Sequence, residues 1–174
     1  MFRDLDYAAA STPELLRRCG LTRGALYHHF VDKRAVFEAV FCETSREVQA
    51  RVEAAARAGG TALERLLLGS RAYLAAASDQ QLVRIYLVSG PAVLGWGRWR
   101  EIDAQHSLCS LRRGLAEWLG EDDRALALGV SGAFNELALA LAEPSMRLSL
   151  STACAAMERL ILGLGADTTT SRRT

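Results

Sequence analysis

The stretch Leu21–Phe30, LTRGALYHHF, decides how the rest of the chain is read. It follows Cys19-Gly20 and runs into the charged corner Asp32-Lys33-Arg34. On a helical wheel Leu26 and Phe30 share one side and can anchor the segment to a small core. Gly24 and His28 fall opposite, flanked by Arg23, Ala25 and Tyr27. Small outer residues let a backbone approach closely, while Arg, Tyr and His offer hydrogen bonds to phosphates and base edges. This is the pattern of a helix that enters a DNA groove.

The preceding residues complete a two-helix unit. Thr12-Pro13-Glu14 reads as a helix start, with a hydroxyl cap, Pro in the first turn and an acid at the positive end. Leu15, Leu16 and Cys19 make an apolar stripe, and Gly20 can take the left-handed conformation that ends the helix. Two short helices joined by a Gly turn make a helix-turn-helix. Spacing alone leaves open an ordinary helix pair that binds nothing.

Ser11–Phe41, STPELLRRCGLTRGALYHHFVDKRAVFEAVF, resembles the DNA-binding domain of the TetR family of transcriptional regulators. The likeness lies in the Gly-Leu-Thr-Arg-Gly turn, the Leu-Tyr-His-His-Phe run, and Asp32-Lys33 leading into a long helix with Val36, Phe37, Val40 and Phe41. The resemblance implies that Thr22 and Tyr27 bind phosphates, that Arg23, Gly24, Ala25 and His28 face base edges, and that Lys33 clamps a further phosphate. Thr12 joins this DNA-facing set, and Leu21, Leu26 and Phe30 are expected in the core. Such domains begin with a full amphipathic helix. Here Met1-Phe2-Arg3 could supply only its last turn and Asp6-Tyr7 its exit, so the first helix looks truncated and Leu15 and Phe30 are expected to lose cover.

The totals fit a globular protein. The chain has 174 residues, half of them apolar and about a quarter charged, with a net charge of +1. Between Thr12 and Arg34 five basic residues oppose two acids, which leaves +3 where a DNA contact needs it. Cys19, Cys42, Cys109 and Cys154 are widely separated and suggest neither a disulfide framework nor a metal site. His28 and His29 point about 100° apart on a helix and cannot chelate one ion. No metal or cofactor is expected, and no constellation suggests catalysis. No signal peptide is visible, and no apolar run is read as reaching the roughly 20 residues that span a membrane. The expected location is cytoplasmic.

The remainder reads as helices throughout, and the fold class is all-α. A long helix from Lys33 to about Arg57 ends at Ala58-Gly59-Gly60, and a second runs from Thr61 to about Ala77. Asp79 can cap a third, apolar nearly all round at Leu82–Val88 and broken near Ser89-Gly90-Pro91. The glycine-spaced Trp96 and Trp99 suit neither a helix nor a polar loop. Helices follow over Arg100–Leu119, from Glu121-Asp122-Asp123 to Ala142, and over Ser145–Leu164. The expected division is a helix-turn-helix domain at 1–41, its linking helix continuing to about 57, a helical ligand-binding and dimerisation domain at 42–167, and a disordered polar tail at 168–174.

Tyr73, Tyr86, Trp96, Trp99, His106, Phe134 and Asn135 are the candidate lining of a ligand pocket, although aromatics at helical spacing are more often core. Phe134, Leu137, Leu141, Met157, Leu160 and Ile161 are the candidate dimer interface, because the last two helices carry more apolar surface than exposed helices tolerate. With the resemblance, these imply a homodimeric regulator, a repressor by family expectation, that binds double-stranded operator DNA and is released by a small, mostly apolar effector. The alternative is a helical ligand-sequestering or interaction protein without DNA binding.

Overall fold

The computed structural model describes Phe2 and residues 7–171, with side chains through residue 165, and every regular element among them is helical. The helices are α1 (Thr12–Cys19), α2 (Arg23–His29), α3 (Lys33–Ala56), α4 (Ala62–Ala76), α5 (Gln80–Val83), α6 (Gly90–Leu94), α7 (Trp96–Gln105), α8 (Ser107–Leu119), α9 (Arg124–Ala142) and α10 (Leu150–Ser171). A π-helical turn, Arg84–Ser89, joins α5 to α6, and a short 3-10 turn, Pro144–Met146, precedes α10.

The helix-turn-helix forms through side-chain caps. Ser11, not Thr12, caps α1 by accepting from the Glu14 amide, and Thr12 becomes the first helical residue. Both hydroxyls satisfy the sequence rule, and the extended backbone at Ser11 decides between them. Gly20 ends α1 at φ 63°, a conformation that costs glycine little. Thr22 caps α2 through the Ala25 amide, and Asp32 caps α3 through the Ala35 amide. α2 buries only Leu26. Leu21, expected in the core, is 46% exposed because it lies in the turn ahead of the cap, and Phe30 is only partly buried.

Leu15 keeps its cover. Phe2 and Ala10 are buried beside it in a cluster that includes Phe37 and Phe41. The Phe2 ring stacks on Tyr7 at 6.0 Å and meets Phe37 edge-on at 5.4 Å, while Tyr7 meets Phe37 at 5.3 Å. These two aromatics fill the place where exposure of Leu15 was expected. Met1, Arg3 and Asp6 lie outside the described residues. The same cluster continues into Ile85, Tyr86, Leu94, Trp99 and Ile102, so the recognition unit and the front of the body share one core. A second core joins Leu66 and Leu74 of α4 to Leu115, Val130, Phe134, Met157 and Ile161.

Several sequence expectations need correction. The apolar run around Leu82–Val88 widens into the π turn and continues as α6 without a break at Pro91, which sits in the first turn where its missing N–H costs nothing. Trp96 opens α7 after left-handed Gly95, so the glycine-spaced tryptophans are helical. The expected helix at Arg100–Leu119 is two helices, broken at His106. α10 extends helically through Ser171, past the start of the expected tail, and residues 172–174 are outside the described part. α9 is, by length and composition, apolar enough to cross a membrane. Its Ala127, Val130, Phe134 and Ala138 instead face the core.

Candidate DNA-reading helix and ligand cavity

α2 stands at the surface with Thr22, Arg23, Gly24, Ala25, Tyr27 and His28 all exposed. The Arg23 guanidinium lies 5.6 Å over the Tyr27 ring, and the His28 and His29 rings meet edge-on at 4.9 Å. Nothing lies within 4 Å of where a Cβ on Gly24 would sit, so the middle of the outer face is flat. The neighbouring Glu14 does not spoil this surface electrostatically. Hydrogen bonds from Arg17 and Arg18 hold its carboxyl down at about 2, so its charge is internally paired. Thr12 is partly buried at the start of α1. Lys33 donates to the Tyr7 carbonyl and lies 4.2 Å from that ring's centre. An ammonium has three donors, so this bond leaves two for another oxygen.

The body contains a cavity with about 900 Å³ of empty space, its mouth included. Five helices wall it. α3 supplies Gln49, Val52, Glu53 and Ala56; α4 supplies Arg65, Leu66, Gly69, Ser70 and Tyr73; α7 supplies Asp103; α8 supplies Ser107, Ser110, Leu111, Arg113, Gly114 and Glu117; α9 supplies Ser131, Phe134 and Asn135. Tyr73 meets Phe134 edge-on at 5.4 Å and donates to Asn135 Oδ1 at 2.8 Å. Burial pushes the Tyr73 phenol well above its ordinary value, so it stays protonated. On the α3 side, Glu53 accepts from Gln49, Ser110 and Arg113. Arg65 pairs with Glu117 across α4 and α8. Asp103, 3% exposed, accepts from Tyr86 at 2.5 Å and Arg100 at 2.8 Å, and burial raises its pKa against the pull of those partners. The charged side chains in the lining are therefore all paired within the protein.

Of the sequence candidates, Tyr73, Phe134 and Asn135 line this cavity. The others are corrected. Trp96 is 63% exposed, held against the surface by Arg100 at 4.9 Å from its ring centre. Trp99 is buried and gives its Nε1–H to the Tyr86 carbonyl at 2.7 Å. Tyr86 is buried behind the cavity and reaches its lining through hydrogen bonds to Asp103 and Ser107. His106 touches the wall through Gln49, with Nδ1 2.9 Å from Oε1. Burial, then the charge of Arg46, lowers its pKa. Sequence reasoning missed the polar lining. A signal was present: Gln49, Val52, Glu53 and Ala56 recur at three and four residues, as do Ser107, Ser110, Leu111 and Gly114. Among the described residues no group of three His, Cys, Asp or Glu side chains could hold a metal.

The candidate dimer residues also divide. Phe134, Met157 and Ile161 are buried in their own chain's core, in one cluster with Leu66 and Leu74 of α4. Leu137 and Leu141 are half-buried, and Leu160 is exposed.

Comparison with known proteins agrees with this layout. Residues 1–40 match the model of bacterial regulatory proteins of the tetR family, and residues 63–164 match the tetracyclin repressor-like C-terminal domain. The chain is 29% identical over 171 residues to the A-factor receptor protein of Streptomyces griseus; the match covers 93% of this chain and 58% of that protein, so the chain spans a little over half of its relative's length. With a helix-turn-helix followed by a matching helical domain over more than half its residues, the chain belongs to the TetR family of DNA-binding transcriptional regulators.

Proposed function

We propose that this regulator is a homodimeric, cytoplasmic repressor that holds double-stranded operator DNA and is released by a small, mostly apolar, uncharged effector. One observation carries the reading. α3 begins four residues after the recognition helix ends, at the DNA-facing candidate Lys33, and, sixteen to twenty-three residues on, supplies a wall of the cavity. A single rigid element thus touches both sites. Leu66, Leu111, Phe134 and Val52 favour an apolar body, and the hydroxyl and amide groups of Ser131 and Asn135 suit a polar substituent. A charged effector would meet only carboxylates and guanidiniums already paired. The relative is described as an A-factor receptor, which fits a regulator that answers to a bound signal.

In this reading Thr22 and Tyr27 bind phosphates, Lys33 adds another from its perch on Tyr7, and Arg23, Gly24, Ala25 and His28 read bases. The dimer forms through the outer faces of α9 and α10, where Leu160 and Leu162 are 42% and 44% exposed and Leu137 and Leu141 flank them. Exposed Gly129, Gly132 and Gly163 let partner helices come close. Two recognition helices then address half-sites roughly 34–36 Å apart. Tyr27→Ala and Lys33→Ala should each weaken binding to the protein's own upstream DNA across all sequences, and Lys33→Ala, which removes a charge, should also lower the salt slope by about 1. Gel shifts between low and high salt check this; two variants indistinguishable from the parent at every salt concentration would overturn the phosphate assignment.

A further inference from the structure

Tyr86 connects the cavity to the recognition unit by contacts at both ends. Its hydroxyl donates to Asp103 Oδ1 at 2.5 Å and reaches Ser107 Oγ at 3.1 Å, and both of those residues line the cavity. Its ring lies flat against Phe41 of α3, with centroids 5.3 Å apart and 13° between planes. Its carbonyl takes the Trp99 indole hydrogen bond. Phe41 and Trp99 close around Gly90, where an added Cβ would come within 2.7 Å and 2.8 Å of them. From there α6 runs four residues to Val93 and Leu94, whose carbonyls accept from the Arg34 guanidinium at 3.1 Å and 2.9 Å. Arg34 is the second residue of α3, beside Lys33. Arg98 of α7 grips Glu38 one turn further along α3 at 2.5 Å.

Tyr86 itself sits in the π turn. A π turn holds one residue more than the α-helical turn it interrupts, and such turns recur at functional sites. Moving that residue along the helix would restore α geometry at Tyr86 and place the π turn elsewhere, a second arrangement open to the segment. Coupling between distant sites requires an element of this sort, whose balance both sites bias.

We propose that Tyr86 is the relay by which occupation of the cavity reaches the DNA-reading unit. A molecule pressing on Asp103 and Ser107 repositions the Tyr86 hydroxyl, the π turn follows, and α6 carries the shift to Arg34. Tyr86 is a positioning residue that touches neither effector nor DNA. The inference rests on the reading of effector-controlled release and specifies its route.

The effector's identity is not needed for the test. In a chain with Cys19→Ser, Cys109→Ser, Cys42→Ala and Cys154→Ala, a Leu111→Cys change puts one thiol in the cavity wall, and N-phenylmaleimide attached there fills the space. Duplex DNA selected from a random library by the unlabelled protein serves as the operator, and mass spectrometry confirms single labelling. With Tyr86 present, labelling should weaken DNA binding by roughly 5–150-fold. With Tyr86→Phe, unlabelled affinity should be unchanged and labelling should cost less than about 2-fold, because the coupling has been cut. Tyr73→Phe also removes a cavity hydroxyl, but one bonded to α9, and should keep the full loss. Should Tyr86→Phe unfold, Phe41→Leu interrupts the same path at the ring's other face and should give the same uncoupling. Equal losses with and without the Tyr86→Phe change overturn the relay, as does uncoupling by Tyr73→Phe. Labelling that leaves DNA binding intact with Tyr86 in place overturns the release reading itself.

Discussion

α2 and the cavity solve opposite problems. α2 is seven residues long, buries one side chain and turns the rest outward. Its partner lies outside the molecule, so its chemistry is spread along one short helix face. The cavity draws on five helices, and neighbouring lining residues such as Gln49, Tyr73 and Asn135 are far apart in sequence. Removing a side chain should therefore do different things in the two places. In α2 it should change binding and leave the fold alone; in the cavity wall it should do the reverse before any ligand is considered.

Phe134→Ala offers the largest effect on the cavity side. Phe134 is 5% exposed, meets Tyr73 edge-on and belongs to the core of α4, α8, α9 and α10. Truncating a buried Phe costs about 3–5 kcal/mol of stability. Urea unfolding should show an earlier midpoint at an unchanged slope. Loss under about 1 kcal/mol would mean that the cavity already lets the wall collapse, which would remove the contrast with α2.

Arg23→Ala is the counterpart. Its guanidinium is exposed and lies 5.6 Å over the Tyr27 ring. Stability should change by less than about 1 kcal/mol. DNA affinity should fall by about 1–3 kcal/mol, with discrimination relaxed at one base position, as read by competition among single-base operator variants. An Arg23→Ala chain that unfolded as readily as Phe134→Ala would show that α2 is held by its outer face.

The same contrast explains what could be read from the sequence. α2 and the Asp32 start of α3 were legible because local spacing and local hydrogen bonds make them, whereas Thr22, read as a phosphate contact, also caps α2. The α1 cap moved by one residue, from Thr12 to Ser11, since a hydroxyl stands at both positions. Phe134, Tyr73 and Asn135 were legible as cavity residues because an aromatic or amide on an apolar helix must find company inside. Trp96 and Trp99 misled: Arg100 packs over both rings, so one could stay at the surface and the other become core. Nothing in their own charge marked Glu53, Arg65, Arg113 and Glu117 as cavity residues, and Arg113 and Glu117 are exposed. Only the meeting of α3, α4 and α8 makes them a paired rim.

His106 tests how far that polar wall is shielded, with the smallest effect. It sits at the break between α7 and α8 with Nδ1 against Gln49 Oε1. Burial first, then the positive charge of Arg46, lowers its pKa, while Asp103 pulls the other way. The native chain thus binds fewer protons here than the unfolded chain, whose histidine titrates at about 6.5. Where the unfolded state holds more protons, stability rises with pH. The contribution is fully present above about 6.5 and is lost as pH falls through the depressed native value. His106→Gln keeps a donor for Gln49 and removes the titration. Urea unfolding of both chains at a series of pH values should give a constant difference above neutrality, with the parent losing ground to the variant as the pH drops below about 6.5. Parallel curves down to about pH 5 would mean that the His106 imidazole feels no burial, and that water reaches the α3 wall of the cavity freely.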